Sequence, residues 1–69
     1  MRRVIRSQNT MHYLRKDGTW TRRSDMAAGF SSAYDAVTTK SRYQLRHVEI
    51  VLQMLDAPNP SYDLIVPLL

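Results

Sequence analysis

Cysteine is missing altogether from this 69-residue chain. That removes disulfides, thiolate zinc sites, iron–sulfur clusters and cysteine nucleophiles in one step. Glycine occurs only at Gly18 and Gly29, too few for a P-loop or a dinucleotide fingerprint, which need several glycines at fixed spacing. Histidine is as scarce, at His12 and His47. A metal site needs three or four ligands, and no spacing of these two with Glu49 and the scattered aspartates supplies one. No window approaches the ~18 apolar residues of a membrane span. The start, Met1-Arg2-Arg3-Val4-Ile5-Arg6, lacks the apolar core of a signal peptide. The expectation is a soluble, cytoplasmic protein with no membrane partner, no cofactor and no metal.

Carboxylates are also few, six against ten lysines and arginines, for a net charge of +4 and a pI near 10.0. The excess is uneven. Residues 1–24 carry seven cations against Asp17 alone, whereas residues 25–69 carry three cations against five carboxylates. Such asymmetry points to an anionic partner for one end, or to a solvated basic hairpin that serves solubility.

The remaining composition, 43% hydrophobic and 23% charged, is that of a globular chain. Its length allows a single domain over residues 1–69, and a domain this small buries only ~60% of its unfolded surface. With disulfides excluded and no metal cluster in view, a partner chain is the stabiliser that remains.

Val48, Ile50, Leu52 and Met54 alternate with Glu49, Val51 and Gln53. This β-branched, period-2 pattern predicts a strand, with Val51 marking a second face that is partly covered. Met11–Lys16 and Thr19–Arg23 flank Asp17-Gly18, a two-residue hairpin signature. In that register Leu14 faces Thr21, Tyr13 faces Arg22, and Trp20 shares a face with Tyr13; a three-residue loop with a bulge would change these pairs. Ser24–Phe30 reads as a connector with a short helical turn closed by a left-handed Gly29. Ser31 and Ser32 offer caps, with Asp35 three residues after Ser32, for a helix over roughly Ala33–Tyr43. Its apolar stripe is Ala33, Ala36, Val37 and Lys40. Residues 1–10 are a basic arm or an extra strand. Residues 56–69 are a proline-containing loop plus an edge strand near Tyr62–Val66.

These elements give an α+β fold: a three- or four-stranded antiparallel sheet with one helix on one face, in ββαβ(β) order. The expected core is Leu14 or Tyr13 with Trp20, Phe30, Ala33, Val37, Val48, Ile50, Leu52 and Met54.

Nothing in the inventory assembles a nucleophile, base and orienting carboxylate. His47 and Glu49 share a strand face, close enough for a side-chain pair, and such pairs are far more often exposed charge contacts than catalytic dyads. No catalytic residue is assigned, and no small-molecule substrate is implied.

Binding is better supported. Arg2, Arg3, Arg6, Arg15, Lys16, Arg22 and Arg23 form an anion-binding set for nucleic acid or an acidic protein, because arginine forks bind phosphate and neighbouring aromatics stack on bases. Tyr13 and Trp20 are either those stacking groups or core; the apolar area an indole buries favours the core. The second class is protein association, as a homodimer or an inhibitor, through the apolar tail of Tyr62, Leu64, Ile65, Val66, Leu68 and Leu69 or a sheet edge. That tail packs on a partner or folds back onto its own sheet.

The run Tyr13-Leu14, Asp17-Gly18-Thr19-Trp20-Thr21, Ala27-Ala28, Phe30-Ser31, Ala36 and Val48–Leu52 resembles short uncharacterised bacterial or phage proteins. The resemblance covers roughly residues 11–55. It implies a ββαβ fold and carries over no functional residue.

Overall fold

The computed structural model describes residues 2–53 and 64–68. Five strands form one antiparallel sheet: β1 (Arg2–Ser7), β2 (Tyr13–Leu14), β3 (Trp20–Thr21), β4 (Val48–Gln53) and β5 (Leu64–Leu68). The spatial order is β3-β2-β1-β4-β5. A single α-helix, α1 (Ala33–Arg42), packs on one face. The α+β class with one helix on an antiparallel sheet is as expected. The sheet has five strands instead of three or four, and the order is βββαββ.

The extra strand is the first. Val4 and Ile5 are consecutive, so the pleat sends them to opposite faces, and both are fully buried. Only a strand covered on both faces can bury two adjacent side chains. β1 is therefore the centre of the sheet, paired along its whole length with β4 from Arg2↔Gln53 to Ser7↔Val48. On the helix face Ile5 packs with Leu14, Ala36, Val48 and Ile50, and Phe30, Leu45, Leu52 and Leu68 add to this cluster. On the other face Val4, Val51 and Ala27 form a second cluster, with Tyr13 against it. Val51 does mark a covered second face.

Ala27 reaches that second face because the connector crosses it. A 3-10 turn spans Ser24–Met26, and the Arg2 guanidinium donates to the carbonyls of Ser24 and Ala27. The turn closes at Ala27, not at Gly29, and Gly29 is not left-handed. The chain then passes round the free flank of β1, where Phe30 N donates to Arg3 O at 2.8 Å, and enters α1 on the helix face.

The hairpin register differs from expectation by one residue. Tyr13 faces Thr21 and Leu14 faces Trp20. Arg15 N donates to Thr19 O and Gly18 N to Arg15 O, so the loop is Lys16-Asp17-Gly18. Gly18 alone has positive φ, at 89°, which is the three-residue loop with a glycine bulge rather than a type I′ turn. The slip moves Trp20 to the face of Leu14, away from Tyr13. Trp20 is 39% exposed at the narrow end of the sheet and is not core.

Ser32 caps α1 as expected, its hydroxyl accepting from Asp35 N at 3.2 Å. The Asp35 carboxylate is too short to return to the cap backbone and instead accepts from Ser31 Oγ at 2.5 Å. The buried face of α1 centres on Ala36, with Thr39 and Lys40 partly buried behind it. Ala33 and Val37 lie outside this face and are exposed, contrary to the expected stripe. Met54, also expected in the core, lies outside the described residues.

Candidate functional site

The last turn of α1 is where the basic hairpin and the helix converge. Helix α1 ends in a Schellman motif: Leu45 N donates to Lys40 O and Gln44 N to Ser41 O. The motif needs a left-handed residue just past the cap, and Gln44 supplies it at φ 54°. The turn projects Tyr43 toward the hairpin tip. A Cβ built on Gly18 would lie 3.3 Å from the Tyr43 ring, so the bare glycine backbone is what lets the ring sit against the loop.

Beside this contact lies a cleft of about 320 Å³. Leu14, Ala28, Gly29 and Phe30 line it together with Arg15 and Lys16 from the hairpin and Thr39, Arg42 and Tyr43 from the end of the helix. Among the described residues, every charged group in the lining is a cation. The negative end of the helix dipole also lies here, but it amounts to about half a charge, so three full cations outweigh it. Asp17, next to Lys16, is turned into its own loop, accepting from Thr19 N at 3.0 Å and from Thr19 Oγ1 at 2.6 Å. Those bonds, the Thr19 hydroxyl first, hold its carboxyl below the ordinary pKa, with a smaller contribution from Arg15.

On the opposite flank of the same turn is a second cavity of about 450 Å³, lined by Gln8, Lys40, Arg46, His47 and Leu68. Among the described residues it too has no carboxylate in its lining.

The seven basic residues expected to bind anions divide sharply. Arg2 is held by the Ser24 and Ala27 carbonyls, and Arg3 donates to Ser31 O at 3.2 Å. Arg6 pairs with Glu49 at 3.1 Å, with side chains only 13% and 8% exposed. Burial opposes the charge on Arg6, yet its pKa is raised, because hydrogen bonds and attraction from Glu49 and Tyr13 outweigh that cost. Arg23 is bound to Asp25 at 2.8 Å on the surface, and this partner lowers the Asp25 pKa. Arg22 is exposed and lines neither cavity. Arg15 and Lys16 alone of the set reach the cleft. Arg42 joins them there, and Lys40 and Arg46 line the second cavity; all three come from a segment whose net charge is negative, which is why charge counting along the chain passes over them. The visible signal is Lys40 and Arg42 in the last helical turn.

The expected His47–Glu49 pair does not form, since Glu49 is taken by Arg6 across the sheet. Instead His47 stands at the entry to β4 with φ 55°. Among the described residues no three metal-ligating side chains cluster, and no helix is long and apolar enough to cross a membrane.

Of the tail residues, Leu64, Ile65, Val66 and Leu68 form the edge strand β5. Leu64, Ile65 and Val66 are exposed, whereas Leu68 packs on the helix-side core. Tyr62 and Leu69 lie outside the described residues. Comparison with protein-family models, curated proteins and solved structures finds no match for the chain.

Proposed function

We propose that this protein is a non-catalytic binding module that takes an anionic macromolecule, nucleic acid ahead of acidic protein, in the cleft between hairpin and helix. One observation carries the reading: Arg15, Lys16 and Arg42 converge on a recess that also has an aromatic ring, Tyr43, in its lining. Cations supply attraction to phosphate, and an aromatic face offers stacking to a base. An acidic peptide would use the cations but would leave the ring without a matching surface. Of the other first-third arginines, Arg2, Arg3, Arg6 and Arg23 are engaged by carbonyls and carboxylates of the chain itself.

The test is fluorescence anisotropy with a labelled oligonucleotide in low salt. Arg15→Ala with Arg42→Ala is expected to weaken binding at least tenfold without changing the melting temperature. Equal binding by this variant and the parent would remove the cleft from the proposal.

A second reading has its own observation. β5 ends the sheet with Leu64, Ile65 and Val66 all about half exposed, an apolar row suited to pairing with a partner's strand. Sedimentation of the parent and of Ile65→Asp checks it: a concentration-dependent dimer in the first and a monomer in the second support the reading, and a parent monomer throughout refutes the homodimer.

A further inference from the structure

Both cavities flank one turn of α1. Thr39, Arg42 and Tyr43 face the first, Lys40 faces the second, and Arg46 follows immediately in the loop. A helix with its side chains is only about 10–12 Å across, so about one helix width separates the two recesses. Among the described residues, all five formal charges that line them are positive.

We infer that the ligand is a single-stranded nucleic acid whose backbone crosses the last turn of α1 and engages both cavities at once. The inference rests on the basic-cleft reading and extends it by naming the partner and its path. A recess of about 320 Å³ is at the small end of ligand-sized pockets. It suits one unstacked base against Tyr43 and excludes a duplex, whose bases are already paired and stacked. The neighbouring cavity adds Lys40 and Arg46 for the phosphates that follow. A duplex would meet the rim cations only and leave Tyr43 unused.

The number of cations sets a measurable quantity. For single strands, log K falls against log salt with a slope of about −0.7 per neutralised phosphate. Five contacts give a slope of about −3.5, hence about a 130-fold loss of affinity between 50 and 200 mM salt. Removing Lys40 and Arg46 leaves three contacts, a slope of about −2.1 and about an 18-fold loss over the same range.

The experiment titrates the full chain and Lys40→Ala/Arg46→Ala with labelled dT12, dT4 and a 12-base-pair duplex, after circular dichroism has shown the variant folded. The expected result is a shallower salt slope for the variant on dT12, little change on dT4, and duplex binding weaker than dT12 throughout. A variant slope on dT12 equal to the parent's overturns the two-cavity path while leaving the cleft reading intact. Duplex binding as tight as dT12 overturns the single-strand assignment. No binding of any oligonucleotide at 50 mM salt, with capture of a poly-glutamate peptide instead, assigns the cleft to acidic protein and overturns the inference. No binding of either probe refutes the cleft reading itself.

Discussion

Replacing Glu49 by leucine should almost unfold this protein, and replacing Arg6 as well should restore it. The pair sits on the sheet face opposite α1, with an N–O distance of 3.1 Å and 13% and 8% of the two side chains exposed. At an effective dielectric of about 20, a separation near 3 Å corresponds to roughly 5 kcal/mol of attraction. Burying the two ions costs several kcal/mol each, so attraction and desolvation nearly cancel while both partners are present. They no longer cancel when one is removed. Glu49→Leu leaves the Arg6 charge in place beside its Nε, a buried donor with no partner even in the parent. Breaking such a pair costs about 3–5 kcal/mol. A chain of this length has in total about 3–10 kcal/mol. Urea unfolding followed by far-ultraviolet circular dichroism is the assay. Glu49→Leu should show a transition at very low urea or no folded baseline. The double variant Arg6→Met/Glu49→Leu should return to within about 1 kcal/mol of the parent or exceed it, because well-packed apolar replacements of buried pairs are often neutral or stabilising. A single variant that loses less than about 1 kcal/mol, with effects that simply add in the double, would refute the argument and mean that water screens the pair.

Two other outcomes follow from backbone and side-chain geometry. Gln44→Gly should stabilise the protein by about 0.5–1 kcal/mol, since the left-handed cap strains a side chain by more than glycine's extra freedom in the unfolded chain costs; a thermal melt checks it. Thr19→Val should raise the Asp17 pKa toward the ordinary carboxylate value, read by carboxyl-carbon NMR. In the parent, Asp17 has the lower pKa when folded, so its contribution to stability is present above the ordinary carboxylate pKa and lost as pH falls through the lowered value. The variant should show a smaller acid-side loss, because the residue 19 backbone N–H still donates to the Asp17 carboxylate.

What the sequence made legible were the elements whose signals are local. β4 follows from alternation, α1 from the Ser32 cap, and the loop at Asp17-Gly18 from its turn residues. β1 was ambiguous because Val4 and Ile5 are only two apolar residues among arginines, and because the turn to β2 contains no glycine. That turn instead places Met11 at φ 61° and uses Ser7 Oγ to accept from Asn9 N and Thr10 N. The hairpin register turned on a single residue of loop length, which composition does not determine. The candidate site was half legible for a related reason. Arg15 and Lys16 belong to the run of positive charge, but Arg42 meets them, and Lys40 and Arg46 line the neighbouring cavity, only once α1 has folded across the sheet.

The central position of β1 also bears on when the sheet can form. Ser7 pairs with Val48 and Arg2 with Gln53, so β1 waits for a segment more than forty residues later. Closing so long a loop costs entropy before any contact repays it. On a ribosome, β1 with β2 and β3 would emerge as a small three-stranded meander with Val4 and Ile5 uncovered. That intermediate exposes the edge against which β4 must dock, and a second nascent chain presents the same edge. The arginines at positions 2, 3 and 6 are then valuable before folding is complete, because like charges on both chains oppose edge-to-edge pairing until β4 arrives.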